Sequence, residues 1–432
     1  MLPLFRYSIP IILFLAYVST AFNIKTVFNP KITKSHTSST TSFLPDVASP
    51  ILSIFAAPIL ALTLFTSSAT LDSQPAYANP APLADVGLRE FLVKDSNQLL
   101  RLSLPSSMTP SSPIDLPNDP GRRAQESVEL VRLRLEQVGF AGKPSVWAAC
   151  LKEVNNANSI VTSDEFLKSV PSSSKKKAQQ MREQVDGTLE QLRDSIRKED
   201  PKQTLAYQES AAAQIYEIRL LSMKSGLPYT LPPDVSKLPI LKGRATVQFD
   251  ISHSDTKNTF LLDDGMKSTT LPLTLTIDGY RAPVTSGNFV DLVKSGGYDN
   301  QKITSTDDLF VNTASKTSPR KIPLELFYKK DTSPTYHYSS DDDLRATESF
   351  ADPFQSVGAL GMVHEPEDND SANSEFFFLK WDQGLVAPGR NTLDGSSACF
   401  GYVVENQGAL EQIKSNDVIT KATVISGIEN LK

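Results

Sequence analysis

The stretch Asp278-Gly-Tyr-Arg-Ala-Pro-Val-Thr-Ser-Gly-Asn-Phe-Val-Asp-Leu-Val-Lys-Ser-Gly-Gly-Tyr298 decides the reading of the chain. It reads as the end of a strand, a capped turn and a short amphipathic helix. Pro283 and Thr285 stand where a helix begins, and a threonine oxygen can accept an otherwise orphaned helix N–H. Phe289, Leu292 and Val293 follow at three- and four-residue spacing and form one apolar stripe. Gly296-Gly297 supplies a stop with positive φ. Alone, the stretch also fits any amphipathic helix that plugs a sheet.

Two later segments narrow this reading. Ser374-Glu-Phe-Phe-Phe378 is one, and Leu393-Asp-Gly395 followed by Phe400-Gly-Tyr-Val403 is the other. The pattern A-P-x-T-x-x-N-F-x-x-L-x-x-x-G-x-Y in residues 282–298 resembles the first helix of the cyclophilins. The other two resemble their S-Q-F-F-I strand and their L-D-G…V-F-G-x-V segment, in the same order. The resemblance implies a closed eight-stranded antiparallel barrel with a helix at each end.

The chain has 432 residues, room for two or three domains, with 40% hydrophobic and 21% charged residues. A net charge of −6 argues against a nucleic-acid partner. Two cysteines, Cys150 and Cys399, are too few for a disulfide scaffold and read as small buried hydrophobes.

Residues 1–78 read as an address. A short apolar run, Ile9 to Val18, follows Arg6 and ends in small residues. Phe22 to Leu44 is basic, rich in Ser and Thr, and free of acids, as transit peptides are. A second run, Ile51 to Phe65, leads to Ala76-Tyr-Ala78, an A-x-A cleavage site. Together they resemble the multipartite presequence of algae with complex plastids, whose last part crosses the thylakoid membrane. No twin arginine precedes the second run, so Sec-type transfer is expected. Both runs are shorter than the ~20 residues a spanning helix needs; a pair of short membrane anchors is the alternative. The mature chain is expected to lie in the thylakoid lumen, soluble and without a stable span.

Residues 83–226 read as a helical bundle. Asp119-Pro120 and Asp200-Pro201 look like an N-cap followed by proline at the first helical position. Val128, Val131, Leu135 and Val138 form one stripe; Pro144 to Val161 reads as a shorter helix. The clearest helix is Lys175 to Lys198, where Ala178, Met181, Val185, Leu189, Leu192 and Ile196 share a face. Such helices cannot bury their stripes singly and imply a bundle. The bundle contains no histidine, and its acids are expected on solvated faces, so it reads as structural or partner-docking. A helical domain before such a barrel resembles the multidomain thylakoid-lumen cyclophilins. In those, the helical part is similar to a lumenal photosystem II subunit and can cover the barrel. Residues 227–243, rich in proline, read as a semi-rigid linker.

Residues 244–432 read as the barrel. Val247, Phe249 and Ile251 alternate, as do Leu273, Leu275 and Ile277. Ile322–Tyr328, Val357–His364, Ser374–Trp381 and Ala398–Glu405 continue the series. Gly408 to Ile413 reads as the second end helix and Val418 to Ile425 as the closing strand. Asp255–Lys267 and Ala314–Phe350 read as polar insertions.

The family's reaction is rotation about X–Pro bonds, against a barrier of ~18–20 kcal/mol. It needs an apolar recess for the proline ring and a fixed donor, an arginine in this family, that favours the twisted amide. Carried over by position, the arginine falls on Ser305 and the glutamine on Thr313. The family's tryptophan falls on Thr392 and its histidine on Ser397. Phe310, Val311, Phe377 and Leu393 match the residues that cradle the ring. Lys302, Lys316 and Arg320 stand close enough in sequence to act as displaced donors or to be solvated loop charges. His36, His253, His337 and His364 show no metal spacing, Asp341-Asp-Asp343 reads as a solvated loop, and no cofactor is implied. Three readings follow: a lumenal isomerase of reduced activity that aids photosystem assembly, a non-catalytic module that binds proline-bearing or unfolded segments, and a scaffold that docks through its bundle.

Overall fold

The computed structural model describes residues 93–106, 119–136, 142–223, 226–313, 320–380 and 393–432. The presequence expected in residues 1–78 lies outside them.

Among the described residues, five α-helices come first: α1 (Ser96–Ser103), α2 (Pro120–Leu135), α3 (Pro144–Thr162), α4 (Lys175–Arg197) and α5 (Pro201–Ser222). Asp119 Oδ1 accepts from Gly121 N at 2.9 Å, and Asp200 Oδ1 accepts from Gln203 N at 3.0 Å, so both Asp-Pro starts are capped as their chemistry dictates. Val128, Val131 and Leu135 pack with Trp147, Cys150 and Val154, and with the inward stripes of α4 and α5. The acids are not all solvated, however. Glu129 is fully buried, bound by Arg101 Nε at 2.6 Å, and Gln208 Nε2 also donates to it. A buried carboxylate persists only when paired in this way. Cys150 and Cys399 are both free and buried.

The barrel closes in the order β1-β12-β5-β6-β10-β9-β11-β4. Its strands are β1 (Arg244–Ser252), β4 (Thr270–Asp278), β5 (Gln301–Thr306), β6 (Phe310–Thr313), β9 (Ala359–Met362), β10 (Phe376–Leu379), β11 (Cys399–Glu405) and β12 (Val418–Ser426). β1 alternates between buried and half-buried throughout, and β4 does so up to its last residue, the buried Asp278, because each turns one face to the core. Two small hairpins stand outside: β2 (Phe260–Leu261) with β3 (Lys267–Ser268), and β7 (Glu325–Leu326) with β8 (Thr335–Tyr336).

Three expectations change. Ile322–Tyr328 is not a barrel strand: only β7 forms there, and β5 and β6 complete the barrel. The insertion is not merely polar, since Leu324, Leu326 and Tyr328 share a small core with Ala398 and Phe350. The second end helix is a short 3-10 turn, Gln407–Gln412.

α6 (Pro283–Lys294) plugs one end of the barrel. Its Phe289 ring lies 5.1 Å from Phe376 and 5.1 Å from Phe400, centroid to centroid, inside the core. The C-terminus closes as expected, with Gly296 at φ 72° and Gly297 N donating to Leu292 O. The start differs. Thr285 lies within the first turn and caps nothing; its hydroxyl is buried without a hydrogen-bond partner. Glu325 of β7 does the capping, accepting from Val284 N at 3.2 Å and Thr285 N at 2.8 Å. A carboxylate from the insertion thus serves the plugging helix.

The proline-rich joint ends inside the barrel core, where Ile240 and Leu241 are buried. Helices and barrel meet at Arg244, which binds Asp278, Ser103 Oγ at 3.0 Å and Tyr216 OH at 2.6 Å. Arg281 Nε donates to Ser103 O at 2.6 Å. Beside this junction Asp352 is 6% exposed, and neither of its carboxylate oxygens has a hydrogen-bond partner. Burial, then the nearby Asp278 charge, pushes its carboxyl up to about 7. Because the folded-state value is raised, Asp352 supports folding at acid pH and withdraws that support as pH climbs through 7. Asp352→Asn should therefore match the wild type below about pH 4, gain on it as pH rises toward 7, and exceed it above pH 7.5 by roughly 2–4 kcal/mol in urea unfolding.

Candidate functional site

The antiparallel register of β6 against β10 decides what the site contains. Phe310 faces Leu379, Val311 faces Phe378, and Asn312 faces Phe377. Directly opposed residues share a face and successive residues alternate. Val311 and Phe378 therefore point inward, and both belong to the barrel core. Phe310, Asn312 and Phe377 point outward. The Phe310 and Phe377 rings meet edge to face at 5.1 Å. Of the four apolar residues expected to cradle a proline ring, the structure brings these two together and turns Val311 away.

A third ring joins them. Phe354 stacks on Phe377 with centroids 5.8 Å apart, and Asp394 Oδ1 holds its backbone N–H at 2.8 Å. Asp394 follows Leu393, whose carbonyl accepts from Ser396 N and Ser397 N in a tight turn. Below Phe377 lies Gly361, where a Cβ would run into the ring's Cζ. The glycine is thus the floor on which Phe377 rests.

Ser305 is exposed on β5 and lies opposite Asn312. Asn312 Nδ2 donates to Ser305 Oγ at 3.0 Å. Thr313 falls on the other face: its buried hydroxyl donates to Phe376 O at 2.7 Å. The amide that accompanies Ser305 on the aromatic face is therefore Asn312, one position before the residue that counting suggested. Ser397 is buried at the end of the 393–397 turn, and Thr392 lies outside the described residues.

Among the described residues, the cations expected as displaced donors do not reach the Phe310–Phe377 face. Arg320 binds Asn288 Oδ1 at 2.8 Å and Asp291 Oδ2 at 2.9 Å on α6, Lys302 is exposed on β5, and Lys316 lies outside the described residues. Behind Phe354 a pocket is lined by Arg281, Glu325, Asp352, Asp394, Ser397 and Cys399. Burial pushes the carboxyls of Glu325 and Asp394 up to about 7 each. Among the described residues no group of His, Cys, Asp and Glu is placed to hold a metal ion. His253 is committed to Asp417 at 2.9 Å and stacks on Phe260. Of the Asp341-Asp-Asp343 run, Asp342 binds the Ser339 hydroxyl at 2.7 Å.

The outward face thus sets the Phe310–Phe377 ring pair beside a neutral amide–hydroxyl pair, Asn312 and Ser305. Residues 266–430 match the family described as cyclophilin type peptidyl-prolyl cis-trans isomerase/CLD. Over 354 residues the chain is 31% identical to a Synechocystis protein named as a thylakoid lumen peptidyl-prolyl cis-trans isomerase, sll0408, covering 78% of this chain and 84% of that one. The chain belongs to the cyclophilin-type isomerases. It is also 34% identical over 221 residues to the chloroplastic isomerase CYP38 of Arabidopsis thaliana, covering 48% of each chain. To the chloroplastic CYP37 of the same plant it is 31% identical over 281 residues, covering 62% of this chain and 58% of that one.

Two residues of this cyclophilin's outward face escaped the sequence reading. Asn312 was detectable: in an extended Phe310-Val-Asn-Thr313, residues two apart share a face, so Asn312 goes with Phe310. Phe354 carried no signal, because it ends an aperiodic insertion. Gly361→Ala should displace the Phe377 ring and lower stability by about 1–3 kcal/mol. Urea unfolding reads the loss, and altered Phe377 ring resonances in NMR spectra identify its origin.

Proposed function

We propose that this chain is a folding helper of the thylakoid lumen whose barrel binds X–Pro segments at the Phe310–Phe377 face and isomerises them slowly. The observation that carries the reading is the outward aromatic pair beside Asn312 and Ser305. An apolar edge-to-face pair suits a proline ring. A hydroxyl where the family places its arginine leaves only neutral hydrogen bonds to favour the twisted amide, and these are about half as strong as charge-assisted ones. Binding is therefore retained while transition-state stabilisation is weakened.

The lumenal address rests on the two signal-like runs before Ala78 and on the names of the relatives. Photosystem subunits are the clients this location suggests, with the helical bundle as the surface that selects among them. The positions proposed for substrate contact are Phe310, Phe377 and Leu393, with Phe354 beside them. Ser305 holds the arginine position, and Asn312 rather than Thr313 holds the amide position.

A second reading is favoured by the burial of the rings: Phe310 is 8% and Phe377 4% exposed. A face so covered suits a module that grips a segment after a local opening and performs no catalysis. A coupled X–Pro isomerisation assay on the full chain separates the two. The first reading expects a rate above the uncatalysed relaxation of tens to hundreds of seconds, lowered by Phe377→Ala and raised at least tenfold by Ser305→Arg. A wild-type rate equal to background, with activity only in Ser305→Arg, selects the second. Background rates in both proteins, together with no peptide binding, exclude both.

A further inference from the structure

Away from the candidate site, His337 combines a strained backbone with two charged partners. It follows β8 and sits at φ 73°, a left-handed conformation that residues with a Cβ avoid unless their surroundings hold them there. Its Nε2 lies 2.8 Å from Asp234 Oδ2 and its Nδ1 lies 2.8 Å from Asp370 Oδ1. The two carboxylates come from distant segments. Asp234 stands in the joint, six residues before buried Ile240. Asp370 lies in the loop from β9 to β10, the strands that carry Gly361 and Phe377.

A neutral imidazole has one N–H donor and one acceptor nitrogen. Two carboxylates offer acceptors only. Both contacts are hydrogen bonds only when the ring carries its second proton. We propose that Asp234, His337 and Asp370 form a proton-operated catch: imidazolium ties the joint, the β7–β8 hairpin and the β9–β10 loop together, and the neutral ring lets them part.

The other groups around the ring are few. The Tyr336 ring lies 6.5 Å away, and Glu325 stands opposite Tyr336 across the hairpin. Asn369 Nδ2 bridges His337 O and Asp342 Oδ2, at 3.0 Å each. Desolvation lowers the imidazole's proton affinity, but the Asp234 and Asp370 carboxylates outweigh it and hold the ring above its ordinary value. With a raised folded-state value, the tie is complete below the ordinary histidine range and fails as pH rises through the raised one. Glu325, on the partner strand and pushed up to about 7, has the same sign. The catch does not depend on whether the barrel is catalytic.

The test is hydrogen exchange on the full chain at pH 5.5 and 8.0, read as protection factors for residues 234–242. Exposed ion pairs are individually weak, so the expected wild-type fall is modest, about threefold. His337→Gln, which cannot take a second proton, should show a clearly smaller fall, only the part due to Glu325 remaining. Asp370→Asn should move the wild-type step to lower pH and lower the titration midpoint of the His337 ring protons in NMR spectra. No step in the wild type, or an unchanged step in His337→Gln and Asp370→Asn, overturns the catch.

Discussion

The register of β6 on β10 is the constraint on which the candidate site depends. Side chains alternate along a strand, so a slip of one residue would exchange the two faces entirely. With Asn312 opposite Phe377, Phe310 and Phe377 meet outside the barrel while Val311 and Phe378 fill its interior. The same register lays Asn312 against Ser305 and sends the Thr313 hydroxyl to the Phe376 carbonyl. Gly361 completes the arrangement, because only a residue without Cβ lets the Phe377 ring lie where it does.

The insertion between β6 and β9 is part of this construction rather than an ornament on it. Glu325 caps the helix that plugs the barrel, and Phe354 backs Phe377. Buried carboxyls accompany both: Glu325, Asp352 and Asp394 are each pushed up by burial, so these three groups favour the fold in acid. Asp352 stands beside the Arg244–Asp278 pair that joins barrel to helices, which extends that dependence to the junction.

Long periodic elements were legible in the sequence. The stripe of α4 and the Asp-Pro starts of α2 and α5 carry their signals locally, in spacing and in capping chemistry. So do β1, which alternates over all nine of its residues, and β4, which alternates until its last two, both buried. β5 and β6 were obscured because Gln301–Thr306 holds one inward apolar residue, Ile303, in a polar run. The cap on α6 was unreadable for a different reason: its carboxylate is 40 residues from the N–H of Thr285, and no local pattern encodes such a partner. At the site, the residue types were legible while their faces were not. Thr313 and Val311 were placed by counting along a motif, and only the pairing of two strands shows which side each takes.

Among the described residues the outward face sets two aromatic rings beside a neutral pair of hydrogen-bonding side chains, Asn312 and Ser305. Binding of a proline ring draws on the first, and acceleration of its rotation on the second. Titration of the full chain with a proline-containing peptide, followed by NMR, tests this account most directly. The account predicts shifts concentrated in the ring protons of Phe310 and Phe377 and in the side-chain amide of Asn312. Shifts confined to other surfaces, with those three groups unmoved at saturation, would contradict it.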